Sequence, residues 1–315
     1  MMEKELELKQ NRSDKNLDVT KEKKKTKALG ITTKTLTYIF LTIAAVLAFL
    51  PFYWMIISSL KTEAEFRADV PTFFPMEGIQ WKNYSFVMSY KESLFARSLV
   101  NTVIVGSVST ILSIIVIIIS AYAFARLEFK GKNLLFSLML ATMMIPGELF
   151  TTTNYITVGQ SGFGWNNTFI VMIVPFLVSF YYIFLLRNAF KQIPDSLYQA
   201  AKVDGCSDLG YLIKVMVPLT APTLISVTLL KFIGVWNTYI WPRLVNKSQE
   251  WQLISNWVTM GFQDTFDKLG YGIVGEPINV AKMAASCMVT LPLFILFICF
   301  RKYIMSGVSK SGTKG

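Results

Sequence analysis

Ile193-Pro194-Asp195-Ser196-Leu197-Tyr198-Gln199-Ala200-Ala201-Lys202-Val203-Asp204-Gly205, running on to Pro218 and Pro222, is a polar interruption between two strongly apolar segments. Polar backbone and charged side chains are costly within a bilayer, so this stretch belongs at a membrane face. Asp195 follows Pro194 and suits a helix N-cap, its carboxylate accepting from the free amides of the first turn. Leu197, Ala200 and Ala201 then share one face at helical spacing. Gly205 stands where that helix should stop, since a left-handed residue there costs least without a side chain. Ser207 can cap a second helix through Tyr211, Leu212 and Ile213 into the next span. The expectation is a short helix on the membrane surface, at a sharp angle to the span that follows.

Outward from this loop, the composition is that of a membrane protein. The chain has 315 residues, 53% hydrophobic and 14% aromatic, too apolar for an ordinary soluble domain. Several runs approach the ~20 apolar residues that cross a bilayer. A net charge of +11 could indicate nucleic acid in a soluble chain. Here the basic residues concentrate at the N-terminus and beside the spans, so topology explains them and nucleic acid is not an expected partner. Cys287 and Cys299 fall in the last span and Cys206 in the loop; without histidine or a metal-type spacing they read as structural thiols.

In chain order, residues 1–30 are Lys-rich and polar and read as a disordered basic cytoplasmic tail, with anionic lipid headgroups as an alternative contact. Six spans follow within a permease-sized domain of residues 31–304: about Leu36–Ile57, Leu99–Ala125, Leu134–Tyr155, Thr168–Leu186, Leu212–Ile240 and Val280–Phe300. Gly106, Ser107, Ser109, Ser113 and Ala121 suit the second span to the inside of a bundle. Pro146-Gly147 should break or kink the third, and Pro218 with Pro222 should bend the fifth, as a static kink or a hinge. On this assignment about two thirds of the 31 Lys and Arg lie on the side of the termini, which places both termini in the cytoplasm. Residues 305–315 form a cytoplasmic C-terminal tail.

The loop resembles the EAA loop of bacterial ABC-importer permeases: Gln199-Ala200-Ala201, Asp204-Gly205 and Val217-Pro218, with glutamine where that family carries glutamate. Pro51-Phe52-Tyr53-Trp54 through Lys61, Asn101-Thr102, Ala121–Arg126, Ile145-Pro146, Asn167-Thr168, Trp236-Asn237 and the closing Lys314-Gly315 are similar to MalG-type permeases of oligosaccharide importers. The resemblance covers residues from about 36 to 315. It implies a type I ABC-importer permease: an all-α membrane protein of the bacterial plasma membrane. It further implies a heterodimer with a second MalG/MalF-like permease, two copies of an ABC ATPase, and an extracellular solute-binding protein that delivers a sugar. The loop, through Leu197, Gln199, Ala200, Ala201, Asp204 and Gly205, would dock in an ATPase cleft, and Lys314 and Gly315 would reach the ATPase dimer.

The chain itself offers no catalytic constellation. Gly131-Lys132 lacks the rest of a phosphate-binding loop, and a Ser/His/Asp or Cys/His system needs histidine. The expectation is a non-enzymatic subunit that binds no cofactor, with ATP and Mg used by the partner ATPase. Glu148 and Lys231 are the ionisable groups nearest membrane depth and could pair. Trp236 and Asn237 could stack on and hydrogen-bond a sugar in the pathway; alternatively Trp236 and Trp241 anchor at the interface while Lys231 snorkels outward. The rival function is a secondary transporter or channel that works without an ATPase.

Overall fold

A computed structural model describes residues 33–89, 94–159, 162–261 and 278–309; the basic tail of residues 1–30 and the closing Lys314 and Gly315 lie outside them. Every regular element among the described residues is helical. The chain divides into two units, residues 1–57 and 58–315. Helix α1, Thr33–Ser59, accounts for the described part of the first unit and is long and apolar enough to cross a membrane. Its side chains from Leu36 to Phe52, Leu36, Phe40 and Leu47 among them, are exposed.

The second unit is arranged around α4, Phe95–Arg126, which packs against α8, Phe180–Lys191, and α12, Ala221–Trp236. Its buried stripe is made largely of small or hydroxyl-bearing residues, Ser98, Thr102, Gly106, Ser109, Ser113 and Ala121, recurring at helical spacing. A Cβ at Gly106 would stand 2.9 Å from the Phe232 ring. The missing side chain is what lets α12 approach α4. The last helix, Ile278–Ser309, packs on α12 and on α3, Lys82–Ser89.

Of the six expected spans, the third and fifth are interrupted where proline predicted, and the fourth is bent as well. Among the described residues three helices have the length and apolarity to cross a membrane, or five if each of two bent pairs is one span. The segment expected as the third span, Leu134–Tyr155, is split into α5, Lys132–Thr142, and α6, Leu149–Val158, of 11 and 10 residues. The break holds Ile145-Pro146-Gly147: proline removes an amide and pushes the preceding residue out of helical conformation, so neither half spans alone. The expected fourth span is α7, Phe169–Ile173, with a tight turn at Val174–Phe176, bent by 46° from α8. Pro175 lies in that turn, and the Val171 carbonyl that its missing amide leaves free accepts from the Trp241 indole at 2.9 Å; where the helix then breaks, Phe176 accepts from Lys231 Nζ at 2.7 Å and Leu177 from Ser113 Oγ at 2.6 Å.

The sharpest bend is 83° between Asp208–Leu219 and Ala221–Trp236. It falls at Thr220, between Pro218 and Pro222, where the two prolines led one to expect a bend. The Thr220 hydroxyl returns a bond to the Met216 carbonyl at 2.8 Å. The final helix continues to Ser309, so the first residues assigned to a flexible tail are helical.

At the Phe95 end of α4 the connecting segments are tied down by polar side chains. Glu63, on the short helix α2 (Glu63–Phe66), accepts from the amides of Asn279 and Val280 at 3.0 and 3.2 Å, capping the last helix. Burial pushes the Glu65 carboxyl up, but bonds from Thr72, Met76 and Glu77 and the charge of Lys61 more than offset this and hold it below the usual glutamate value. The Asn101 amide donates to the carbonyls of Glu250 and Gln252, and Thr102 accepts from the Ile254 amide at 2.7 Å. Asn167, at φ 56°, accepts from the Ser248 amide at 3.1 Å.

Candidate coupling face and transmembrane cavity

At the Arg126 end of α4 the chain leaves α8 and forms α9, Asp195–Val203. Pro194 supplies the cap position and Asp195 is the first helical residue; its carboxylate caps no amide of the turn and pairs with Arg126 instead. Arg126 also donates to the carbonyls of Ile193 at 2.6 Å and Phe190 at 3.3 Å. One guanidinium therefore holds the whole lead into α9, its planar fork serving three acceptors at once. Arg187, stacked over the Phe136 ring at 3.7 Å, donates to the Phe124 carbonyl at 3.1 Å and closes the same helix end.

α9 ends as the glycine predicts. Gly205 has φ +72°, its amide bonds the Lys202 carbonyl at 3.1 Å, and the Cys206 amide reaches back to Ala201 at 2.9 Å. That pair of bonds is a Schellman closure. Ser207 then caps α10, Asp208–Tyr211, accepting from the Gly210 amide at 3.2 Å. Asp208 ties the two short helices together, receiving Lys202 at 2.8 Å and the Tyr198 hydroxyl at 2.9 Å. The bond from Lys202, then that from Tyr198, holds the Asp208 carboxyl below its usual value, and the same contact raises Lys202. Tyr198 lies edge-on to Tyr211 at 5.1 Å.

The faces of α9 are not divided as the spacing suggested. Tyr198 and Ala201 turn towards the core of Ile117, Tyr122, Phe190 and Tyr211. Leu197, Gln199 and Ala200 are exposed, with Asp204. Val203 is 87% exposed, the most exposed large apolar side chain of the second unit, and joins them on the outer side. Sequence reasoning passed over Val203 and Arg126; a lone apolar residue on the polar side of an amphipathic helix was the available signal for the first. For Arg126 nothing local distinguished it from a basic loop residue.

The residues proposed for the pathway separate. Trp236 is 3% exposed, packed with Phe95, Ile254 and Trp257, and Trp241 is buried with its indole donating to the Val171 carbonyl at 2.9 Å. Neither is an interface anchor. Asn237 ends α12 and is exposed. Glu148 is exposed and makes no ion pair with Lys231. Lys231 turns inward, 8% exposed, where it lines a cavity of about 180 Å³ with Phe176, Tyr182, Thr238 and Trp241.

The arrangement is a bundle of bent apolar helices with a short, rigidly braced helix at one end. Residues 113–310 match the family described as binding-protein-dependent transport system inner membrane component, and the chain belongs to it. It is 30% identical over 277 residues to the trehalose/maltose transport system permease protein MalG of Thermococcus litoralis, covering 86% of this chain and 93% of that protein. It is 26% identical to the arabinooligosaccharides transport system permease protein AraQ of Bacillus subtilis, covering 88% and 94%. The fold is similar to that of a chain in a bacterial ABC transporter involved in the import of the acidic polysaccharide alginate, with a TM-score of 0.73 at 24% identity, covering 85% and 95%. A chain of a bacterial alginate ABC transporter in complex with alginate pentasaccharide-bound periplasmic protein gives 0.59 at 13%, covering 86% and 94%. The chain is a permease subunit of an ABC importer, not a stand-alone secondary transporter.

Proposed function

We propose that this chain is one half of a heterodimeric permease for an oligosaccharide, driven through α9 by a separate ATPase. The substrate class rests on the relatives, which are permeases for trehalose/maltose, arabinooligosaccharides and polygalacturonan or rhamnogalacturonan. The observation that carries the coupling reading is the exposed side of Leu197, Ala200 and Val203 on a helix braced by Arg126 and Asp208. A low apolar knob on a rigid mount can follow a moving groove as a rigid body. The 83° bend at Thr220 then turns displacement along the membrane surface into a tilt of α12.

The Arg126 end faces the cytoplasm by the distribution of Lys and Arg, and the two halves of the broken third span cross together, giving six crossings. The partners are a second permease, two ATPase copies that use ATP and Mg, and an extracellular solute-binding protein. Lys314 and Gly315 are proposed to contact the ATPase pair. The test is purification of the tagged chain from its native membrane in mild detergent, followed by ATPase assay with sugar-loaded binding proteins. Recovery of a second permease and an ATPase, stimulated by a loaded binding protein, supports the reading; recovery of this chain alone, transporting without ATP, overturns it.

A further inference from the structure

Lys231 is a cation buried at membrane depth, and no carboxylate pairs with it among the described residues. Its ammonium group has three donors, and one is used by the Phe176 carbonyl. Intramembrane charges face a partner or a cavity, and here the cavity is present. Lys231, Gly234 and Thr238 recur at helical spacing along one wall, with Phe176 and Trp241 opposite, their rings edge-on at 5.3 Å. A Cβ at Gly234 would meet nothing within 4 Å, so the wall is open there. The Tyr182 hydroxyl, on the same cavity, makes no hydrogen bond among the described residues. None of the described residues lining the cavity is acidic.

We propose that this cavity receives the carboxylate of an acidic saccharide, with Lys231 as the group that recognises it. The inference rests on the sugar-importer reading and names the substrate class within it. The two remaining donors of Lys231 supply charge-assisted bonds to the anion. Tyr182 adds a neutral donor, and the Phe176 and Trp241 rings offer apolar faces to the sugar ring. At about 180 Å³ the cavity is smaller than the roughly 300–1,000 Å³ that encloses a drug-sized ligand. It accommodates a single acidic residue of a longer chain.

The probes are galacturonate and its uncharged methyl ester, bound at equilibrium to the assembled permease–ATPase complex in nanodiscs. Omitting the binding protein keeps selectivity at delivery out of the measurement. The wild-type complex is expected to bind the acid about tenfold more tightly than the ester, and Lys231→Met to erase that ratio while Lys231→Arg retains part of it. Equal affinities in the wild type overturn the proposal without recourse to any variant. So does a ratio that persists in Lys231→Met, which leaves Lys231 as a cap for the Phe176 carbonyl alone. A parallel assay of ATP-driven saccharide uptake separates the two readings: equal affinities with uptake intact overturn only the role of Lys231, whereas no uptake of any saccharide, acidic or neutral, overturns the sugar reading beneath it.

Discussion

Gly205 is the residue on which the geometry of the surface loop turns. Its φ of +72° costs an ordinary L-residue about 1–2 kcal/mol, and a Cβ there would touch nothing within 4 Å. The penalty of substitution is therefore one of backbone alone. Gly205→Val should leave an assembled complex whose stimulated ATPase activity and uptake fall at least about tenfold, and normal uptake by that variant would sink the coupling role. Arg126 and Asp195 form an unequal pair, the arginine side chain 8% exposed and the aspartate 82%. Removing the guanidinium strands two backbone carbonyls, at roughly 1.5–3 kcal/mol for bonds to a charged group. Removing the exposed carboxylate costs ~0–1 kcal/mol. Arg126→Met should accordingly lower the thermal midpoint of the complex well beyond Asp195→Asn, and equal effects would show that the ion pair, not the carbonyl clamp, is what matters. At the opposite end, Glu65 is held below the ordinary value of 4.5, so its contribution is complete above that value and lost as pH falls through the folded one. Once the intrinsic pH dependence of exchange is divided out, amide protection across residues 62–77 should fall in acid, and Glu65→Gln should remove that loss.

At the scale of elements, α9 presents one side to the core and another to solvent, and the division follows from Tyr198. Its ring packs edge-on to Tyr211 and its hydroxyl reaches Asp208, which rotates the helix so that Ala201 faces in and Val203 faces out. Val203→Asp places a charge on the exposed side, away from the intramolecular packing. The expected outcome is a folded permease that loses its ATPase on co-purification, whereas Tyr211→Asp should disrupt the fold itself; retention of the ATPase by the Val203 variant would move the docking face elsewhere. The broken helices follow a common logic. Proline interrupts each, and side chains of neighbouring helices, Lys231 and Ser113, occupy the carbonyls released between α7 and α8.

For the whole molecule, the polar ties gather at two ends of the α4 bundle. Glu63, Asn83 and Asn101 pin one end, and Arg126, Arg187 and Asp208 the other. If the Arg126 end is cytoplasmic, cysteine introduced at Lys130 should resist a membrane-impermeant maleimide added outside intact cells, and cysteine at Asp69 should react. Reversed labelling would invert the topology and take the coupling assignment with it.

The sequence by itself settled what depends on local chemistry and on the membrane as solvent. Apolar length marked the first, second and last spans, Gly205 and Ser207 marked the end of α9 and the start of α10, and the constellation from Gln199 to Pro218 marked the permease family. These are decided within one or two turns of chain, where neighbours in sequence are neighbours in space. Only tertiary structure decided the rest. The Asp195 carboxylate left its own helix for Arg126, 69 residues away, because a guanidinium fork offers a charged partner that local amides do not. Lys231 turned inward instead of snorkelling because the bend between α7 and α8 leaves the Phe176 carbonyl open beside it. Trp236 and Trp241, which as sequence suited an interface, are buried: Trp236 where Ala281, Ala284 and Ala285 of the last helix leave room, Trp241 among Val105, Val171 and Leu253. Such choices depend on which surfaces meet, and no periodicity in a single segment records that.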